Sequence, residues 1–315
     1  MAAKGTQRHD PAWYTPLTLP AALRAFDQPV QGGLAVGASG KVGLLELTLG
    51  PSNGTTHVFR QYQRAPLYMY RPIYLDCGRP DMAFVFVLQS GDGVVQGDRY
   101  RIDVRCLPRA AVHLTTQAPS KVFGARQNFA TQIVNLTVDE DAVLEYLPDP
   151  VLPFAGSRFL QTTRLSWHPD STVIMGETLL PGRVAYGEAH AFDFYCSATE
   201  VSTPGGHLVF ADLLRLTPFT GEDPHSVGLL GHHHVVSTLY VLTGRVEPAT
   251  VVELLRSVAR LPGVLRGVSE LPNGCGATLR ILGPTAQGVG DTLRAAWNAV
   301  RPALVGAPPP DLRKG

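Results

Sequence analysis

The densest group of metal-capable side chains in the 315-residue sequence is Gly231-His232-His233-His234. Neutral imidazoles bind nickel, copper and zinc well. On an extended strand alternate residues point to opposite faces, so only His232 and His234 could share an ion, and spacing assigns no third ligand. The run is either a solvated loop cluster or a weak, transient nickel contact. Two carboxylates carry the other chemistry. In Val143–Leu147, strand alternation sets Glu145 with Val143 and Leu147; in Val173–Leu179 it sets Glu177 with Val173, Met175 and Leu179. An acid on an apolar face must pair, bind a cation, line water or titrate upward. A structural ion pair or hydrogen-bonded network is one reading of these acids. A glycosidase-like acid/base pair is another, and it depends on a separation that sequence does not give.

Two further motifs fail on context. Gly50-Pro51-Ser52-Asn53-Gly54 matches the G-x-S-x-G pattern of a hydrolase nucleophile elbow, but that geometry needs a helix directly after the serine. The following TTHVFRQYQ is β-branched and aromatic, and Asn53-Gly54 is a hairpin signal. Gly40-Lys41 resembles the end of a phosphate-binding loop, yet the first glycine and the final Ser/Thr are missing. The four cysteines (Cys77, Cys106, Cys196, Cys275) have no CxxC spacing, the pattern of reduced thiols rather than a zinc knuckle or a disulfide framework.

The elements that must position these residues are mostly strands. Hydrophobic residues make up 44% and charged residues 17%, enough to bury a sizeable core, while 32 glycines and 26 prolines imply many turns. A formal net charge of +1 gives no field to recruit nucleic acid or an anionic membrane. The longest apolar stretch, Met82–Leu88, is far short of the ~20 residues that span a bilayer. The opening MAAKGTQRHDPAWY has no apolar signal core, so a cytoplasmic location is expected. From residue 33 to 245 short β-branched and aromatic runs, among them Val42–Leu49, Leu67–Tyr74, Ala111–Thr116, Phe159–Trp167 and Leu208–Leu216, alternate with Gly, Pro, Asn or Asp. This predicts a mainly β fold, an extended helix-like or sandwich stack, after an N-terminal segment at 1–32. Residues 246–305 switch to helical spacing, predicting helices over 249–261 and 286–300, the second interrupted at Pro302. A Pro-rich tail at 306–315 is expected to be extended.

Several ordered segments resemble the UreD family of urease accessory proteins, called UreH in some organisms. They are QRAPLYMYRPIYLD (Gln63–Asp76), SGDGVVQGDRY (Ser90–Tyr100), LTTQAPSKVF (Leu114–Phe123), LEYLPDPVLPF (Leu144–Phe154) and ETLLPGRVAYGE (Glu177–Glu188). The resemblance departs at Gly91-Asp92-Gly93, where the family usually has a double glycine. It implies a non-catalytic maturation factor that joins a UreF-like protein and a UreG-like GTPase and docks on apo-urease. No permanently bound cofactor is implied, only Ni²⁺ in transit through a water-filled passage. Matched to the family's motifs, Asp98, Asp149 and Glu188, with Glu177, are expected along that path. Thr116, Gln117, Lys121 and Arg183 are expected to be structural or interface residues. The C-terminal helices and tail are the expected partner contact, on the ground that a Pro-rich tail has little else to order it. The alternative from the residues alone is a β-rich hydrolase or metal-dependent enzyme using Glu145 and Glu177 or the histidines.

Overall fold

The structure, a computed structural model, describes residues 8–312 and 314. The first seven residues of the expected N-terminal segment, and Arg313 and Gly315 of the tail, lie outside the described residues. A single helical turn, α1 (Ala21–Arg24), precedes the hairpin β1 (Val42–Ser52) and β2 (Thr55–Arg64), then β3 (Leu67–Met69) and β4 (Ala83–Gln89). There follow β5 (Arg99–Cys106), β6 (Ala111–Thr116), β7 (Ser120–Val122), β8 (Ala130–Val138), β9 (Val143–Tyr146) and β10 (Val151–Pro153). The stack continues with β11 (Arg158–Trp167), β12 (Thr172–Leu179), β13 (Phe194–Ser202) and β14 (Leu208–Leu216). After β15 (Val235–Thr243) come α2 (Pro248–Ser257), β16 (Leu265–Glu270), β17 (Gly276–Gly283) and α3 (Ala286–Val305).

The strands form two sheets. One runs β14-β13-β11-β8-β5-β1-β2; the other runs β16-β17-β15-β12-β9-β6-β4-β3, with β7 and β10 attached at its margin. Parallel strands need a crossover connection. Here the crossover is itself a strand of the opposite sheet: β5, β8, β11 and β13 are parallel neighbours in the first sheet, and β6, β9 and β12 are parallel neighbours in the second. Each coil therefore adds one rung to each face of a solenoid-like stack. Leu45, Val104, Val134, Leu144 and Val173 fill the space between the sheets.

The β1–β2 turn has Asn53 and Gly54 both at positive φ (51° and 79°), as a type I′ hairpin requires. Ser52 thus leads into a strand, which removes the nucleophile elbow. Strand β3 stops at Met69 rather than reaching Tyr74 because Pro72 breaks the ladder, and pairing resumes as a bridge between Ile73 and Phe84.

Helices α2 and α3 cover the outer face of the second sheet, where Val251, Leu255, Val289 and Val300 meet Ile174, Leu239 and Leu279. Helix α2 ends at Ser257, earlier than its apolar pattern. Arg266 donates to the carbonyls of Leu255 and Arg256 and satisfies that end. Helix α3 runs past Pro302 to Val305 rather than stopping near 300. The fully buried Arg301 holds its last turn in place, and Gly306, at φ 89°, caps it. The tail is ordered by its own chain. Arg301 Nη1 donates to the carbonyls of Ala307 and Pro308 at 3.0 and 2.5 Å, and Lys314 reaches back to Asp149 at 2.9 Å.

Candidate functional site

Strand alternation gives each sheet an inner and an outer face, and Glu145 and Glu177 fall on opposite ones. Glu145 on β9 faces outward beneath α3 and is fully buried. His113 Nδ1 donates to it at 2.8 Å, Trp297 Nε1 at 2.9 Å and Arg301 Nε at 2.7 Å. Arg301 also pairs with the buried Asp76 at 2.5 Å. Burial pushes the Glu145 carboxyl up, but the bond and charge of His113, followed by Arg301 and Trp297, outweigh it and hold the group below its ordinary value. This is the fastened ionic network that the residue pattern allowed. Two carboxylates on opposite faces of one sheet cannot flank a single substrate, so a Glu145/Glu177 acid/base pair is excluded.

Glu177 on β12 faces inward, toward the first sheet. There the parallel register aligns polar side chains from four successive coils: Tyr100 sits beside Gln132, Gln132 beside Gln161, and Gln161 beside Ser197. Gln132 Nε2 reaches Gln161 Oε1 at 3.4 Å, and Ser197 Oγ donates to Glu177 at 2.5 Å. A core packed only for stability would put apolar side chains in this row. Instead Gln132, Gln161 and Glu177 line a cavity of about 190 Å³ between the sheets, roomy enough for several waters. Burial pushes the Glu177 carboxyl up. The Ser197 hydrogen bond opposes this, Asp212 reinforces it and Arg280 opposes it. At the far side Tyr240 donates to Asp212 at 2.6 Å, and Asp212, Arg280 and Tyr240 line an outer depression of about 430 Å³.

Segments distant in sequence converge on the cavity mouth. Gly91–Gly93, Thr116–Lys121, Pro148–Asp149 and Glu177–Thr178 all contribute to its lining. Thr116 ties two of them together: its hydroxyl accepts from the Asp149 backbone N–H at 2.8 Å and donates to the Asp149 carboxylate at 2.9 Å. Gln117 and Lys121 are exposed on the rim. Asp149 also lines a second pocket of about 260 Å³ under α3, where Lys314 pairs with it. A Cβ on Gly93 would lie 2.6 Å from the Lys121 carbonyl oxygen, which accounts for glycine there. Asp92, beside it, is exposed and causes no such collision.

The remaining predicted residues lie elsewhere. Asp98 accepts from the Val95 N–H and the Tyr100 hydroxyl, each at 2.9 Å, and pairs with Lys41 at 3.2 Å. Glu188 pairs with Arg183 and accepts from the Ala155 N–H, while the Arg183 guanidinium lies 4.2 Å from the Phe154 ring centre. Asp98 closes the Val95–Asp98 turn and holds the Tyr100 hydroxyl, and Glu188 ties its loop to Ala155. His232 is exposed, and His234 is brought together with His190 and His225 instead. Local sequence spacing carried no signal for His190 or His225. The Tyr100-Gln132-Gln161-Ser197 row was equally hidden, because each member is one polar residue on its own strand. All four cysteines are free. Among the described residues no helix is long and apolar enough to cross a membrane.

Fold and site define a solenoid-like β protein with a polar-lined cavity between its sheets and a helical cover over one of them. The UreD urease accessory protein family matches residues 41–314. The chain is 40% identical over 282 residues to the urease accessory protein UreD 2 of Streptomyces griseus, covering 89% of this chain and 96% of that one. It is 35% identical over 289 residues to the UreD of Cenarchaeum symbiosum, covering 90% and 99%. It is also 35% identical over 280 residues to the UreD of Haloarcula marismortui, covering 89% and 93%. This chain belongs to the UreD urease accessory protein family.

Proposed function

We propose that this chain acts in urease maturation as a scaffold, joining a UreF-like protein and a UreG-like GTPase to apo-urease, and that Ni²⁺ crosses it through the seam between its sheets. The chain is non-catalytic in this reading, and nickel is cargo rather than a resident cofactor. The observation that carries the reading is the aligned row Tyr100-Gln132-Gln161-Ser197, of which Gln132 and Gln161 line a cavity together with Glu177, while Ser197 bonds Glu177 directly. Amide and hydroxyl oxygens replace part of an ion's hydration, and one carboxylate attracts the cation without trapping it. Glu177 is the acid assigned to the route, since it lines the cavity with a hydroxyl donor from Ser197; Asp149 lines it too, but Lys314 and Thr116 hold its carboxylate. The carboxylates of Asp98 and Glu188 are already engaged by backbone and cationic donors.

Closing the seam tests this. Gln132→Met with Gln161→Met keeps side-chain length while removing the polar groups, and replacing both partners of a buried polar pair by apolar groups of similar shape is close to neutral for stability. The double variant is expected to form the accessory complex normally and to load much less nickel into co-expressed urease. Normal loading would remove the seam from the route.

A further inference from the structure

A second set of unpaired polar groups lies away from the cavity. His190 lies in the loop before β13, His225 in the loop between β14 and β15, and His234 directly before β15. One ring nitrogen from each lies within 4.8 Å of the others. The ring centres are 4.9 Å apart for His190–His225, 5.1 Å for His225–His234 and 5.7 Å for His190–His234.

Each ring is delivered by its own backbone restraint. His190 holds φ 55°, a left-handed conformation uncommon for a residue with a Cβ, and its N–H bonds the Pro181 carbonyl at 2.6 Å. The His225 N–H donates to Asp223 at 2.9 Å, and its loop is closed by Leu230 and Gly231 N–H bonds to the carbonyls of Pro224 and Ser226. The His234 N–H donates to the Gly283 carbonyl at 3.0 Å, which fastens it to the second sheet.

The ring atoms are left in the state that a metal wants. His225 Nδ1 lies 2.9 Å from the Gly231 carbonyl oxygen. A carbonyl only accepts, so Nδ1 carries the proton and Nε2 keeps its lone pair. This is the outer-shell bond that usually orients a ligating histidine. His190 is 7% exposed, yet neither of its ring nitrogens has a partner, and Nδ1 of His234 also lacks one. Leaving such a group unsatisfied costs about 1–3 kcal/mol, and a shared cation removes that cost. Imidazole nitrogens on one tetrahedral ion stand roughly 3.3 Å apart, given bonds of about 2.0 Å, so nitrogens within 4.8 Å of one another need to close by at most about 1.5 Å.

We propose that His190, His225 and His234 bind one borderline divalent transition-metal ion, of the class Zn²⁺, Ni²⁺, Co²⁺ or Cu²⁺, through three imidazole nitrogens. The all-nitrogen donor set selects against Mg²⁺ and Ca²⁺, which prefer oxygen. Three protein ligands leave a fourth position for water or an exchanging ligand. Exposed His225 puts that position on the solvent side. None of the three histidines lines the inter-sheet cavity, so the site stands independently of the nickel route.

The test titrates untagged, chelator-treated full-length protein, in complex with its UreF-like partner if needed for solubility, with Zn²⁺, Ni²⁺, Co²⁺ and Cu²⁺ separately. Bound metal is counted by mass spectrometry after gel filtration. One equivalent of at least one of these ions is expected, with a metal-dependent rise in thermal midpoint. His225→Ala removes an exposed ligand and should abolish both, while leaving the metal-free midpoint unchanged. His190→Asn should abolish binding as well. A His232→Ala/His233→Ala control should bind normally. Failure of the wild-type protein to retain any of the four ions overturns the proposal, as does binding that survives His225→Ala and His190→Asn but is lost in the control.

Discussion

Glu145 and Glu177 lie on adjacent parallel strands, with Glu145 paired to Ile174 only three residues before Glu177, an odd step that puts the two acids on opposite faces. Glu145 sits between sheet and helix with donors from His113, Trp297 and Arg301; it does not itself line the pocket under α3, although His113 and Trp297 do. Glu177 sits on the seam side with a hydroxyl donor from Ser197 and an open cavity in front of it. Burial opposes ionisation in both. Only Glu145 has enough donors to reverse that opposition, so its pKa falls while that of Glu177 rises. A buried carboxylate surrounded by donors is a fastener. One with a single hydroxyl donor beside a cavity is, in the proposed function, available to a passing cation.

The comparison breaks most visibly at the fastener. Glu145→Ala or Arg301→Ala leaves buried charge without its partner, and each should cost about 3–5 kcal/mol in denaturant unfolding. Urease activation should fall only in step with the amount of folded protein. A loss below about 1 kcal/mol would mean that the network is not closing α3 onto the sheet. Truncation after Pro302 comes next. It deletes the buried Leu304 and Val305, each contributing about 1.5–3 kcal/mol, and the tail contacts with them. Stability of the isolated chain should therefore drop before partner binding is even measured. If the truncated chain is as stable as the intact one but fails in pull-down, the tail is a partner contact rather than part of the fold.

A smaller effect separates the two acids by pH. The folded pKa of Glu177 is raised, so its contribution is fully present below the ordinary glutamate value of about 4.3 and is lost as pH rises through the raised value. Glu177→Gln stays neutral throughout. Its denaturation midpoint should match the wild type at low pH and exceed it above that window. The Glu145 contribution has the opposite sign: present above about 4.3 and lost as pH falls through its lowered value. Parallel pH profiles for wild type and Glu177→Gln would show that the carboxylate is not desolvated.

Strand alternation made half of this contrast legible. It set Glu145 and Glu177 on apolar faces and delimited Ala111–Thr116 and Leu208–Leu216 as the structure has them. It could not say which face meets a second sheet and which meets a helix, because that depends on where α2 and α3 dock. Strands Ser120–Val122 and Val151–Pro153 pair with each other across a long separation and carry little local pattern. Edge strand Leu265–Glu270 is mostly exposed and lacks the apolar alternation of a buried strand. The seam was out of reach for a related reason. Gln132 and Gln161 become neighbours only through the register of parallel coils, as His190, His225 and His234 do through three separate loops.

In the proposed function the seam side of the second sheet carries a cation, and Glu177 serves it by charge rather than by packing. The most direct measurement takes Glu177→Gln, which keeps shape and hydrogen bonding. It compares the yield of the accessory complex with the nickel bound to urease in the same samples. The account predicts wild-type complex yield with several-fold less urease-bound nickel. Full nickel loading at normal yield, or a loss of nickel that merely follows a loss of complex, would contradict it.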